Sequence, residues 1–374
     1  MKRILIAIRS LGGGGAEKVL IKVLEKLPKD KYEIDLLLLE KEGVYVKEVE
    51  KKFNLIVFDK KIVKLSNVKW IRKIHSLYRH IRWKVYFKFP WLFNLYLRQD
   101  YDVEIAFLEG LTSKVIAARK NKAKKIAWIH TDLKKHRILT EKEERAMYKA
   151  FDRIVVVSKG GLESFVHLYP EYQSKCQVIY NPIDKVEILE KAKQLECNAE
   201  PLTIIAVGRL TYAKGYDILL KAVKELIDEG IIFKLLILGE GEERKNLEDY
   251  ILDNQLNQYV KLAGFCENPY RYINSADIFI VSSRYEGYPL GLCEALVLGK
   301  PVIATACTGP VEILENNKYG MVVKVEDVNS LKQAIKKMCI KEEVRIKYAN
   351  LARQRARLMD IDVSIKQIEN LLNE

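Results

Sequence analysis

The sequence predicts an α/β protein of two doubly wound parallel-sheet domains that meet near residue 183. Three observations carry this reading. Short β-branched apolar runs alternate with helical stretches from end to end, the alternation occurs twice, and a turn-rich, apolar-poor stretch separates the halves. At 374 residues the chain is long enough for two cores, and 49% apolar residues exclude a mainly disordered protein.

In the first half the candidate strands are Arg3–Ile8, Glu33–Leu39, Leu55–Phe58, Val103–Leu108, Lys125–Ile129 and Arg153–Val157. They read as apolar runs, as expected of strands covered on both faces. The first is followed by Gly12-Gly13-Gly14-Gly15-Ala16-Glu17, which opens a helix. Glycines there let Gly14 and Gly15 bring backbone N–H groups close to a phosphate. Glu17 stands where G-x-G-x-x-G needs its third glycine, which weakens a nicotinamide reading. His130 follows a strand and would face a ligand cleft, although a lone histidine is often structural.

Tyr180-Asn181-Pro182-Ile183-Asp184 carries the turn signals of a hinge, and charged sequence continues to Pro201. The expected domains are therefore residues 1–182 and 183–359. A last helix over 363–372 carries Ile365, Ile368, Leu371 and Leu372 on one face, so residues 360–374 are expected to return to the first domain. Asp360-Ile361-Asp362 has the D-x-D shape of a metal-dependent sugar-nucleotide site, but it precedes a helix with no strand before it, which suits capping.

The second half offers Thr203–Val207, Lys234–Leu238, Val260–Ala263, Ile278–Val281, Pro301–Thr305 and Met321–Val325. After the first of these come Arg209 and Lys214, two cations suited to a diphosphate leaving group. After Ile278–Val281 comes Ser-Arg-Tyr-Glu-Gly-Tyr-Pro-Leu-Gly-Leu-Cys-Glu, with Glu286 in the loop and Glu294 in the following helix. The two carboxylates either flank a helix start or grip two ends of one elongated ligand. N–H groups of Gly287, Tyr288 and Leu290 lie between them, at the positive end of the helix dipole. Glu312, in a second strand-to-helix turn, either caps its helix or contacts ligand.

Charge is unevenly shared. Residues 1–180 hold 38 Lys/Arg against 21 Asp/Glu, whereas residues 181–374 hold 26 against 29. The stretch from Lys61 to Arg98 has no acid and interleaves Trp, Tyr and Phe with cations. Ile71, Ile74, Tyr78, Ile81 and Val85 follow helical spacing, with Trp70, Arg72, Lys73, Arg79, Arg82 and Trp83 around them. This fits a helix in an anionic membrane surface, or a core helix with a solvated basic face. No nucleic-acid recognition motif accompanies the cations, so no nucleic-acid partner is expected. Six cysteines without a C-x-x-C pair support neither a zinc site nor a disulfide frame. With neither a leader nor a membrane span in the sequence, a cytoplasmic location is expected, peripheral on the inner membrane face.

Gly208-Arg209-Leu210 with Lys214-Gly215, the E-x7-E pair Glu286/Glu294, and Gly299–Thr305 with Thr308-Gly309-Pro310-Val311-Glu312 occur in order, and with them the chain resembles the family-4 retaining glycosyltransferases of GT-B fold. The resemblance implies two Rossmann-like domains facing across a cleft, and a hexose moved from a nucleoside diphosphate sugar, of UDP type, to a glycan or lipid-linked hydroxyl in surface polysaccharide synthesis. It implies that Arg209 and Lys214 hold the diphosphate, Glu294 the ribose and Glu286 the transferred sugar. His130 would line the sugar pocket, Gly14 and Gly15 would approach the diphosphate, and Phe265 would flank the base. No metal or other cofactor is implied. The rival readings are a GT-B epimerase or hydrolase of UDP-sugars, or a basic nucleic-acid-binding protein that is not an enzyme.

Overall fold

The computed structural model describes residues 1–59, 69–95, 97, 99–135, 137–193 and 201–374. The chain divides into two compact units. The first comprises residues 1–157, 162–179 and 365–374; the second comprises residues 158–161 and 180–364.

Among the described residues, the first unit's sheet has seven strands: β1 Lys2–Ile8, β2 Tyr32–Glu40, β3 Asn54–Asp59, β4 Val103–Ala106, β5 Lys124–Ile129, β6 Arg153–Val156 and β7 Cys176–Val178. All pair in parallel, in the order β3-β2-β1-β4-β5-β6-β7. Ile4 and Ile6 of the central β1 lie opposite Ile34 and Leu36 on one side and Val103 and Ile105 on the other. All four neighbours are apolar, which explains why β1 reads as an unbroken hydrophobic run. The chain reverses its direction of growth between β1 and β4, so the loops leaving these two strands diverge and open a crevice at their carboxyl ends.

The second unit repeats the plan with six strands: β8 Thr203–Val207, β9 Lys234–Leu238, β10 Val260–Gly264, β11 Ile278–Val281, β12 Val302–Thr305 and β13 Met321–Val323, in the order β10-β9-β8-β11-β12-β13. Its reversal falls between β8 and β11. Ile204, Ile237, Ile280 and Ile303 pack on one side of this sheet with the helix Tyr216–Asp228, while Ile205, Phe279 and Val302 pack on the other with the helix Leu290–Val297.

The last helix, Ile361–Asn373, buries the four apolar residues that the sequence placed on one face. Lys2 and Lys124 donate to the carbonyls of Leu372 and Leu371 at 2.9 and 2.6 Å, cations at the negative helix end. Asp360 accepts the Asp362 N–H at 2.9 Å, so it acts as a cap.

The basic aromatic segment forms the helix Lys69–Lys88. Sequence reasoning grouped Arg82 and Trp83 with lipid-facing residues; the structure turns both toward β3. The Arg82 guanidinium donates to the Phe58 carbonyl at 2.8 Å and lies 4.2 Å from the Phe58 ring centroid, and Trp83 Nε1 donates to Asp59 at 3.2 Å. The physical reason is that β3, at the sheet's edge, ends in an aromatic ring and a buried carboxylate that need an apolar cover and a cation. The side chains of Trp70, Arg72, Lys73 and Arg79, and residues 60–68, 96 and 98, lie outside the described part of the structure.

Candidate active site

Because β8 and β11 are neighbours in the sheet but far apart in sequence, the loops that leave them start side by side. The β8 loop carries Arg209, which is exposed, and ends in one 3-10 turn, Tyr212–Lys214. Gly215 closes that turn at φ +61°, and a Cβ there would stand 2.2 Å from the Ser282 carbonyl oxygen. Only glycine lets the two loops approach this closely. Buried Ser282 then donates its hydroxyl to the Lys214 carbonyl at 2.8 Å, and the Arg284 N–H donates to the Ala213 carbonyl at 2.7 Å.

The Arg284 side chain completes the tie. Its two terminal nitrogens donate to the two oxygens of Asp217 at 2.8 and 2.7 Å, Nε donates to Glu326 at 2.9 Å, and Nη1 also donates to the Tyr212 carbonyl at 2.7 Å. The guanidinium lies 3.9 Å from the Tyr212 ring centroid. The bond to Asp217 raises the Arg284 pKa further above its already high ordinary value. A planar fork bound on both edges and stacked on a face has little freedom left.

The consequence of this bracing is the pair it presents. Lys214 Nζ bonds Glu286 Oε1, and the same carboxylate oxygen accepts the Ser283 hydroxyl at 2.8 Å. Lys214 keeps about a quarter of its side chain in solvent and Glu286 about an eighth (26% and 13%), so the pair is reachable by a ligand. Next, Pro289 stands at the N-cap of the helix Leu290–Val297 rather than at its first position, and no side chain caps this end. Its first-turn N–H groups are therefore left without a side-chain cap, the arrangement that suits an anion. Glu294 is buried in this helix, Gly287 is buried, and Tyr288 and Leu290 are half-buried. The Gly309 N–H donates to the Glu286 carbonyl at 3.2 Å, with a Cβ on Gly309 only 2.5 Å from the Gly287 oxygen.

Glu312 does not cap its own helix. Its carboxylate accepts the Gly160 N–H at 3.2 Å and the Tyr180 hydroxyl at 2.6 Å. Phe265, exposed beyond β10, lies two strands from β8.

In the first unit, Gly14 is the N-cap of the helix Gly15–Lys26, again with no side-chain cap. His130 leaves β5 beside the Phe107 ring, centroids 5.1 Å apart. Its position is fixed by Glu109, one oxygen of which accepts the N–H of His130 at 2.8 Å, the N–H of Thr131 at 2.6 Å and the Thr131 hydroxyl at 2.8 Å. Glu109 beside His130, and Ser283 and Arg284 beside Glu286, are residues that sequence reasoning did not assign a role. Their adjacency to strand ends was the local signal; the partners of Glu109 and of the Arg284 side chain are remote in sequence, whereas Ser283 bonds Glu286 three residues on.

Burial pushes the His130 imidazole down to about 4, against the smaller opposing pulls of Glu109 and a hydrogen bond to the Phe107 backbone. Its Nε2 is buried without a partner, so the neutral ring offers an acceptor there. The sign of the linkage follows. As pH falls, the unfolded chain protonates this histidine first, so stability is complete above pH 6.5 and declines toward pH 4. Urea unfolding of the wild type should lose about 2 kcal/mol more than His130→Gln between pH 7.5 and pH 5. Equal losses in the two proteins would place the imidazole in water.

Among the described residues, no group of three or more His, Cys, Asp or Glu is placed to hold a metal ion.

Residues 13–187 match the family Glycosyltransferase Family 4, and residues 187–355 match Glycosyl transferases group 1. The chain belongs to the family-4 glycosyltransferases. Its fold is GT-B, two Rossmann-like parallel-sheet domains. The N-acetylgalactosamine-N,N'-diacetylbacillosaminyl-diphospho-undecaprenol 4-alpha-N-acetylgalactosaminyltransferase of Campylobacter jejuni is 33% identical to this family-4 chain over 215 residues, covering 57% of it and 58% of that relative. An uncharacterized glycosyltransferase of Methanocaldococcus jannaschii is 30% identical over 262 residues, covering 60% of this chain and 64% of its own length. The family-4 chain therefore spans less than two thirds of either relative. The Anabaena protein Alr3699/HepE, solved with UDP and glucose, shares the fold with a TM-score of 0.77 and 19% identity over the whole of both chains.

Proposed function

We propose that the protein is a retaining glycosyltransferase that moves a hexose from a UDP-sugar to a hydroxyl of a glycan or lipid-linked acceptor in surface polysaccharide or glycoconjugate synthesis, without a metal ion. The observation that carries the reading is the Lys214–Glu286 pair, braced at the β8/β11 reversal beside an uncapped helix N-terminus. This is where a doubly wound sheet binds nucleotides, and the pair supplies one charge for a diphosphate and one for sugar hydroxyls. The donor extends along the strand ends. Phe265 beyond β10 lies two strand spacings from β8, about 10 Å at ~4.8 Å per strand, which suits the base end of an extended nucleotide. Glu294 is assigned to the ribose, and Arg209 joins Lys214 on the diphosphate. His130, Gly14 and Gly15 keep the roles that the family resemblance gives them.

In the reaction, the bond from the anomeric carbon to the β-phosphate oxygen breaks, and the acceptor oxygen bonds that carbon on the face just vacated. The acceptor proton passes to the leaving phosphate, so configuration is kept. The chain's part is to hold the leaving diphosphate against fixed positive groups while charge builds on it. Support for a UDP-linked donor comes from the UDP bound to the Anabaena protein, and support for a lipid-linked acceptor from the diphospho-undecaprenol in the Campylobacter relative's name. An acceptor of that kind lies at a membrane, which fits the basic excess of residues 1–180.

The test is a panel of UDP- and GDP-sugars with nucleotide release followed in the presence and absence of membrane lipid extract. UDP release that needs the extract, and from one sugar above the rest, is the expected result. UDP release at the same rate without acceptor would replace transfer by hydrolysis, and conversion of the UDP-sugar to an isomer with no UDP released would replace it by epimerisation.

A further inference from the structure

We propose that the exposed side of the helix over residues 77–88, together with Phe89 and Trp91, lies in an anionic lipid surface. This deepens the proposed function by naming the surface where the acceptor is met.

Among the described residues the helix shows two apolar sides, and one of them keeps much of its surface in solvent. Its inner side is Arg82, Trp83, Tyr86 and Phe87. Of these, Trp83 and Tyr86 meet the Phe58 ring at 5.6 and 4.5 Å, and the Lys114 ammonium lies 4.0 Å from the Phe87 centroid. That side already covers the sheet edge. On the other side Leu77, Tyr78, Ile81 and Val85 form a stripe at helical spacing and keep 59%, 60%, 52% and 40% of their surface in solvent. Just past the helix end, Phe89 and Trp91 are exposed at 42% and 54%. Six large apolar side chains exposed between residues 77 and 91 exceed the scattered exposure of an ordinary surface.

Charge selects the occupant. Lys84 and Lys88, exposed, border this stripe at helical spacing. Of the two acids that flank the segment, Asp59 is buried, accepts from Trp83 and lies 3.8 Å from the Arg82 guanidinium, while Asp100 is exposed beyond its far end. Residues 61–98 contain no acid, so no carboxylate of this segment offsets the lysines. A second copy of the same face would bring like charges together, which disfavours self-association. An anionic bilayer accepts both halves of the pattern: apolar side chains enter the acyl boundary, Tyr78 and Trp91 settle at headgroup depth, and lysine stems reach back to phosphates. No described helix is long and apolar enough to cross a membrane, so the binding is on the surface.

The experiment is cosedimentation of the full chain with phosphatidylcholine vesicles and with vesicles made one third phosphatidylglycerol, at low and high salt. The wild type should pellet with the anionic vesicles at low salt only. Ile81→Glu combined with Val85→Glu should lower vesicle affinity at least about tenfold, and Lys84→Gln with Lys88→Gln about fivefold per lysine, with a shallower salt dependence. UDP binding measured by calorimetry on the same proteins should not change, which separates a failed surface from a failed donor site. A wild type that stays in the supernatant, variants that pellet like it, or a vesicle-free dimer that the glutamates dissolve would each overturn the proposal, the last in favour of a second copy as the occupant.

Discussion

Glu286→Gln is expected to lower kcat/KM for sugar transfer by about 10²–10³-fold while leaving UDP affinity equal or improved. The split follows from the hydrogen bonds. Glutamine keeps an oxygen that can accept the Ser283 hydroxyl, so the loop need not move, but it removes the charge that holds Lys214. Lys214 is then released toward a diphosphate, which favours nucleotide binding. What is lost is the carboxylate assigned to the hydroxyls of the transferred sugar, so the deficit falls on the step that breaks the glycosyl bond. Isothermal calorimetry with UDP and initial rates with the preferred UDP-sugar read the two effects separately. Lys214→Met supplies the mirror image: weaker UDP binding and slower transfer together. A Glu286→Gln enzyme whose transfer stays within tenfold of wild type would remove this carboxylate from the chemistry.

The strands were legible because parallel strands covered on both faces must be apolar throughout, and β8, β9 and β11 begin and end where the sequence places them. β7 was not. Cys176-Gln177-Val178 is three residues long, half-buried at the sheet's edge and preceded by a 3-10 turn, so it shows no apolar run. Met321–Val325 ends early, at Val323, because the chain turns at Glu326, which adopts φ +58°. Within the site, Glu286 and Lys214 were nameable from their places after strands, but their contact was not. It depends on which strands become neighbours, and β8 and β11 are separated by two intervening strands in the sequence. Arg284 shows the limit most plainly. It sits two residues from Glu286 in the most informative stretch of the chain, yet its role depends on Asp217 and Glu326, 67 and 42 residues away. Local rules leave Glu312 between capping its own helix and meeting a ligand; its carboxylate accepts from Gly160 and Tyr180, remote in sequence, rather than from its own helix. Periodicity found the helix Lys69–Lys88, but only the fold decides which of its two apolar sides covers β3.

The same reasoning gives Gly215 an importance out of proportion to its size. Gly215→Val asks a β-branched residue to adopt φ +61° and drives its Cβ to 2.2 Å from a backbone oxygen, that of Ser282. The left-handed conformation alone costs about 1–2 kcal/mol for an ordinary residue and more for valine. The contact cannot be relieved by a rotamer change, because the obstructing atom belongs to the chain that continues β11. Either the 3-10 turn or the β11 loop must move, and each carries one member of the Lys214–Glu286 pair. A total destabilisation of roughly 3–5 kcal/mol lowers the melting temperature by about 6–20 °C for a unit of this size. Gly215→Ala is the graded partner: it keeps the clash at Cβ but omits the branched methyls, so a smaller drop with a folded product is expected. In that protein, transfer should fall far more than the fraction unfolded explains, because the loops separate before the core melts. A Gly215→Ala enzyme with wild-type transfer would mean that the pair does not depend on the close approach of these two loops.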